Sequence, residues 1–166
     1  MAQAKKLFGK YRGTVVNNAD PQGLGRIQAL VPDVSQSPLS SWAMPCAPVA
    51  GIGMGIQVAP PIGAQVWVEF EQGDPKRPIW SGGFWTNASE RPGSADLPGA
   101  TIRLQTALQS SLTISDLPDG GIAIRSATGA TIMVNDTGIR IDNGKGASIV
   151  MVGPTVTING GALAIT

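Results

Sequence analysis

Histidine is absent from the 166 residues, and with it the commonest general base and metal ligand. Cysteine occurs once, at Cys46, which excludes an intrachain disulfide. Its neighbours Met44, Pro45, Ala47, Pro48 and Val49 point to a small buried thiol rather than a reactive one. No Gly-x-Ser-x-Gly, no Cys/His or Asp/His metal spacing and no phosphate-binding glycine loop is present. The one glycine-rich stretch, Gly51-Ile52-Gly53-Met54-Gly55, has no Lys or Ser/Thr after it. The expectation is a protein that is not an enzyme and binds no cofactor or metal. No apolar run is long enough to span a bilayer, and the basic start at residues 1–6 leads into no apolar signal segment. The chain is therefore expected to be made in the cytosol without a signal peptide.

Glycine (22) and proline (13) are abundant enough to exclude a helical protein, yet they follow no collagen-like period. The aromatics Phe8, Tyr11, Trp42, Trp67, Phe70, Trp80, Phe84 and Trp85 all fall in the first 85 residues. A stretch with Pro92, Gly93, Pro98 and Gly99 follows. This break predicts an aromatic-filled domain over 1–85, a linker over 86–100 and a thin aliphatic domain over 101–166.

The last part reads as one short strand written eight times. Each copy places two apolar residues at i and i+2: Ile102/Leu104, Leu112/Ile114, Ile122/Ile124, Ile132/Val134, Ile139/Ile141, Ile149/Met151, Val156/Ile158 and Leu163/Ile165. First members are spaced 10, 10, 10, 7, 10, 7 and 7 residues apart, with Gly, Asn, Asp or Pro in most gaps. Period-two apolar pairs between turn residues are strands, and repetition at a short interval marks a stacked architecture. Between the pairs sit Arg103, Thr113, Ala123, Met133, Arg140, Val150, Thr157 and Ala164, so one face is always apolar. Two buried side chains per strand contribute only about 3–6 kcal/mol against a backbone ordering cost of roughly 1–2 kcal/mol per residue. The ladder cannot stand alone. It could coil into a single-chain solenoid, or wrap around copies of itself and bury its apolar pairs on a common axis. The second is favoured, because at three strands per coil eight strands give fewer than three coils, near the lower limit for a stable solenoid.

The first part reads as a small barrel. A β-rich run at 11–17 ends in the turn signal Asn17-Asn18-Ala19-Asp20-Pro21-Gln22-Gly23, and Gly25-Arg26-Ile27-Gln28-Ala29-Leu30-Val31-Pro32 returns beside it. Residues 42–50 predict a third strand, at an edge or bulged because of Pro45 and Pro48. Residues 51–55 predict a flexible loop, Gln65-Val66-Trp67-Val68-Glu69-Phe70-Glu71 the clearest strand, and 78–85 the last. Five short strands with glycine at the corners suit an OB-fold. Gly23, Gly25, Gly63 and Gly73 are expected at turns with positive φ, Pro21 and Pro75 as turn formers, and Asp20 and Asp74 bonded to nearby backbone amides.

The ordered set Asp20-Pro21-x-Gly23-Leu24-Gly25-Arg26, Val31-Pro32, Trp42-Ala43, Pro48-x-Ala50-Gly51 and Pro60-x-x-Gly63-x-x-Val66-x-Val68-x-Phe70-x-x-Gly73-Asp74-x-x-x-Pro78-x-x-x-Gly82 resembles the OB-fold domain of contractile-tail spikes. That family includes phage baseplate assembly protein V, the spike of type VI secretion and the spikes of extracellular injection particles. The ladder is similar to the triple-stranded β-prism that follows the barrel there. The resemblance implies an all-β homotrimer, with three OB-fold barrels forming a collar and three ladders intertwined into a β-prism or β-helix needle. It further implies seating on baseplate hub and tube proteins, transient passage through a target envelope, and assembly into a phage tail or tail-like machine. Interchain backbone hydrogen bonds and a dry aliphatic axis would supply the stiffness. Some family members carry a muramidase between barrel and needle, but the gap from Trp85 to Thr101 is too short for one. Others hold iron at the tip through histidines, which this chain lacks.

Three sets of residues carry these expectations. The trimer axis would be lined by Ile102, Leu104, Leu112, Ile114, Ile122, Ile124, Ile132, Val134, Ile139, Ile141, Ile149 and Met151. Lys145 is the final charged side chain, so the end carrying Val156, Ile158, Leu163, Ile165 and Thr166 would expose an uncharged strand edge that sheet proteins normally cover. A separate tip protein is expected there, of the PAAR type by resemblance. Trp67 with Glu69 and Glu71 forms an aromatic and acidic stripe assigned to a neighbouring barrel or the hub; packing by the N-terminal segment is the alternative for Trp67. The rival function is an OB-fold nucleic-acid or carbohydrate binder with a β-solenoid oligomerisation tail. Such a module needs a basic groove, whereas residues 1–90 hold seven basic and six acidic side chains. No nucleic-acid partner is expected.

Overall fold

A computed structural model describes residues 6–34, 40–93 and 101–165. Thr166, the side chains of Ala164 and Ile165, Pro98 and Gly99 of the expected linker, and the start at 1–5 lie outside the described residues. The chain is all-β. Its contacts divide it into two units, Met1–Asn87 and Ala88–Thr166, and three short 3₁₀ turns (Glu71–Gly73, Ala88–Glu90, Asn159–Gly161) are the helical content of the described residues.

In the first unit, β1 (Tyr11–Asn17) and β2 (Gln28–Leu30) form the expected hairpin. The residues expected as one strand at 42–50 divide into β3 (Met44–Pro45) and a small ribbon of β4 (Ala50–Gly51) with β5 (Met54–Gly55), so the expected loop at 51–55 is partly paired. Pro48, which has no N–H to donate, lies where the strand would have continued. β6 (Gln65–Phe70) and β7 (Pro78–Gly83) complete a five-stranded sheet of order β2-β1-β6-β7-β3. β3 lies parallel to β7, and Ala43 beside it bridges Ile27 at the start of β2. The two ends of the sheet thus meet, and residues expected at an edge close the barrel.

The alternating burial of β6 follows its sequence, with Val66, Val68 and Phe70 inside. They pack with Leu7, Val15, Ile27, Ala29, Val31 and Ala43. This core is aliphatic, not aromatic-filled: Phe70 is its one buried aromatic among the described residues, with Tyr11 edge-on at 5.6 Å and Trp80 partly buried beside it. The interior is narrow, since a Cβ on Gly13 would come within 3.0 Å of the Val68 side chain. Cys46, expected buried, is exposed. Its backbone N–H donates to Trp80 O at 2.9 Å, which extends the parallel pairing and turns the thiol outward.

The second unit is one antiparallel meander of β8 (Thr101–Gln105), β9 (Ser111–Ser115), β10 (Gly121–Arg125), β11 (Thr131–Asn135), β12 (Gly138–Asp142), β13 (Ser148–Val152), β14 (Thr155–Ile158) and β15 (Leu163–Ile165), each hydrogen-bonded to its sequence neighbours. The ladder hydrogen bonds expected between chains are therefore made within one chain. The irregular spacing is a matter of turns. Pairs ten apart are joined by five-residue turns, and two of the sevens by two-residue turns at 136–137 and 153–154. Gly138 marks one tight corner, where a Cβ would fall 2.1 Å from Met151 O.

The turns at 106–110, 126–130 and 143–147 are one motif written three times. The first residue's N–H donates to the fifth residue's carbonyl at 2.9, 2.9 and 3.0 Å. The first side chain (Thr106, Ser126, Asn143) accepts from the fifth N–H at 3.2, 3.0 and 3.0 Å. The fourth position has φ of +69, +97 and +99° and holds Gln109, Gly129 and Gly146. Only Gln109 bears the left-handed penalty of a side chain. Gln109→Gly is expected to stabilise the ladder by roughly 0.5–1 kcal/mol and Gly129→Ala to destabilise it by a similar amount, read as opposite shifts of its thermal midpoint.

Candidate interaction surfaces

The register converts the eight apolar pairs into two continuous rows. Ile102, Ile114, Ile122, Val134, Ile139, Met151, Val156 and Ile165 oppose one another down the sheet, and Leu104, Leu112, Ile124, Ile132, Ile141, Ile149, Ile158 and Leu163 form the second row. In the single chain this face is bare: Ile102 and Leu104 are 65% exposed, and even mid-sheet Ile124 and Ile132 keep 49% and 40%. Arg103, Thr113, Ala123, Met133, Arg140 and Val150 occupy the central row of the opposite face. Covering what remains exposed of each apolar side chain is worth on the order of 1 kcal/mol. Over a sheet this long the sum exceeds the roughly 4–15 kcal/mol cost of association. Among the described residues of the second unit, nothing else gathers so much exposed apolar surface.

The residues expected near the tip, Val156, Ile158, Leu163 and Ile165, lie in β14 and β15. β15 is an edge strand, hydrogen-bonded on one side to β14.

The barrel stripe differs from its expected form. Trp67 and Glu69 share a face of β6, but Glu71 has left the strand for the 3₁₀ turn after Phe70, where Gln72 takes φ +52°. The strand alternation used to group the three ends one residue too early. Trp67 is half-covered: its ring lies 4.6 Å from Phe84, and the Arg12 guanidinium sits 5.5 Å over Trp67 and 5.0 Å over Phe84. Arg12 is the cross-strand neighbour of Trp67. Glu69 pairs with Lys10 at 2.9 Å and Glu71 with Arg77 at 2.6 Å, both exposed and worth little singly. The structure places Trp67 and Glu69 together with Arg12 and Lys10, in a stripe of mixed charge.

The apolar arm at 47–58 was not singled out from the sequence. Val49, Ile52, Met54, Ile56 and Val58 are all exposed there, Ile52 fully, above a cleft of about 770 Å³ shared with Leu24, Trp80 and Ser81. The available signal was charge: no Asp, Glu, Lys or Arg occurs from Val34 to Val68.

Asp20 organises the loop between β1 and β2. Its carboxylate accepts from the backbone N–H groups of Gln22, Leu24 and Arg26 at 3.0, 2.8 and 3.2 Å, and Asp74 likewise accepts from Lys76 N–H at 2.9 Å. Arg26 adds what the sequence reading missed, a bidentate pair with its closest contact at 2.6 Å, and stacks over Trp42 at 5.5 Å. Gly23, Gly25, Gly63 and Gly73 all have positive φ, and Gly25 O accepts from the Trp80 indole N–H at 3.2 Å. The Arg26 guanidinium, assisted by the three amides, holds Asp20 well below the usual carboxylate range.

Two comparisons with protein families span most of the chain. Residues 11–85 match the family described as the type VI secretion system/phage-baseplate injector OB domain. Residues 101–164 match the family described as the phage baseplate V C-terminal trimerisation domain. Comparison with the curated proteins gives no match.

A carboxylate depressed on folding stabilises the folded state above its unfolded pKa, and that stability is lost as pH falls toward the folded value. The barrel, followed by fluorescence of its four tryptophans, is expected to lose stability progressively as pH drops below the ordinary Asp value of 3.8. Asp20→Asn is expected to lower the barrel's midpoint by roughly 5 °C at pH 7 and to flatten that acid slope. An unchanged slope would take Asp20 out of the loop's energetics.

Proposed function

The chain belongs to the phage baseplate V family of injector proteins, and from that premise we propose that it is the central spike of a contractile injection machine. The families matched are of structural baseplate proteins rather than enzymes, and the trimerisation-domain match supports a homotrimer associated with a baseplate. The finer reading is mechanical. Three ladders bring their apolar faces to a common threefold axis lined by the twelve residues from Ile102 to Met151 named above, forming a needle. The needle is driven through a target envelope when a sheath contracts, and the barrels seat as a collar on hub and tube proteins. The observation that carries this reading is the pair of in-register apolar rows left bare on one face of β8–β15. A face of that length needs a cover that repeats as it does, and a copy of the chain is such a cover.

Two contacts extend the reading. The stripe of Trp67 and Glu69, with Glu71 at its margin, is assigned to the hub or a neighbouring barrel. The end of the ladder at Val156, Ile158, Leu163 and Ile165, with Thr166 after them, is assigned to a separate tip protein of the PAAR type. Supporting the second is the absence of charge after Lys145 around an edge strand with one free side.

Light scattering of the purified chain is expected to give one species of about three times 17.1 kDa. Ile124→Asp would bury three like charges together and abolish it, while Thr113→Asp on the opposite face leaves it unchanged. A folded monomer at micromolar concentration would sink the reading. Co-expression with hub and tip candidates from the same operon tests the two contacts. Truncation after Gly153 is expected to lose the tip protein while keeping the trimer, and Trp67→Ala to cut hub recovery at least tenfold. Equal recovery from variant and parent would remove the corresponding assignment.

A further inference from the structure

The ladder's charges are sorted by edge. Turns of an antiparallel meander alternate between its two edges, so 116–120, 136–137 and 153–154 lie along one, and 106–110, 126–130, 143–147 and 159–162 along the other. The first edge carries Asp116, Asp119 and Asp136 and no basic residue. The second carries Arg125 at the end of β10, Asp142 at the end of β12 and Lys145 in the turn that follows. Asp142 is already taken by Arg140 at 2.8 Å. The other five are exposed and make no ion pair among the described residues. One edge is therefore left acidic and the other basic.

The turns of the second edge are tied to one another. Ala127 N–H donates to Ser110 Oγ at 3.0 Å and Ser148 N–H to Asn159 Oδ1 at 2.9 Å. Gly129 and Gly144 approach so closely that a Cβ on Gly144 would lie 2.8 Å from the Gly129 carbonyl carbon. Successive turns are thus tied into one wall that holds Arg125 and Lys145 at fixed heights.

We propose that these edges recognise each other between copies of the chain, the acidic edge of one ladder lying along the basic edge of the next. The proposal rests on the homotrimer reading and deepens it. When three sheets turn their apolar faces to one axis in parallel, each acidic edge meets a basic edge. Turning one chain end over end, with its apolar face still inward, sets acidic against acidic and basic against basic. The heights agree with the parallel arrangement. The turn bearing Asp116 and Asp119 spans β9 and β10, level with Arg125 on β10. Asp136, between β11 and β12, lies one strand from Lys145, between β12 and β13, a step of about 4.8 Å that a lysine side chain spans. The apolar rows are too uniform to distinguish neighbouring registers, since every rung presents Ile, Leu, Val or Met. Charge at the edges supplies direction and register where the core supplies adhesion.

A disulfide trap tests this. Asp136→Cys with Lys145→Cys is made in the full chain with Cys46→Ser. The two positions lie at opposite ends of β12, separated by roughly 17 Å along the strand. That is far beyond the roughly 7 Å Cα limit for a disulfide within one chain. Mild oxidation is expected to give a covalent trimer on a non-reducing gel, with neither single variant doing so. A trimer by light scattering that stays uncrosslinked would overturn the edge pairing and leave the homotrimer standing; a monomer before oxidation would overturn both. Charge is read separately. Asp136→Lys is expected to slow trimer recovery from denaturant about tenfold at low salt, and Lys145→Asp added to it to restore the rate. Equal rates for parent, single and double variants would remove charge from the proposal.

Discussion

An antiparallel meander whose apolar residues face one another across every rung can satisfy its backbone but not its side chains. Each strand from β8 to β15 finds its hydrogen-bond partners in its sequence neighbours, and those from β8 to β14 place both apolar residues in register on one face that the chain leaves largely bare. Adding strands does not help, because every added rung brings more of the same uncovered surface. The remedy is outside the chain, and the trimerisation-domain match agrees with that physical requirement. In the proposed trimer, backbone pairing within each chain and apolar packing between chains would be separate sources of rigidity, one acting along the sheet and the other across the axis.

The barrel solves its own burial problem. Its narrow aliphatic interior is closed by a parallel pairing of β3 with β7 and by the Ile27–Ala43 bridge. The Asp20–Arg26 pair and three backbone amides fix the intervening loop. Larger side chains are displaced to the outside, where Trp67 and Phe84 are covered by Arg12 and the arm at 47–58 carries exposed Ile52, Met54 and Ile56. This unit buries its apolar core within itself, whereas the ladder leaves the apolar pairs of its main face exposed.

Legibility in the sequence followed locality. The pairs in the ladder were readable because each strand bonds to the next and all but the first of its turns carry their own Gly, Asn or Asp signals. The Asp20 turn, a matter of six residues, was readable for the same reason, though the Arg26 guanidinium that completes it was not. The prolines at 42–50 signalled an interrupted strand, and the strand does break there; its closure of the barrel was not readable because its partners, Ile79 and Trp80, lie more than thirty residues away. The outward Cys46 depends on the same closure, whereas Glu71 leaves the stripe because the turn from β6 to β7 begins at it. The sorting of Asp116, Asp119 and Asp136 from Arg125 and Lys145 became visible once alternate turns were placed on opposite edges.

Carbene footprinting of the purified full chain, read by mass spectrometry, tests most directly that the bare face is covered by copies of itself. The account predicts that Ile114, Ile122, Ile132 and Ile141, each about 40% exposed in the single chain, take up little label while Met133 and Arg140 on the opposite face are modified. Labelling of both faces to a similar extent would contradict it.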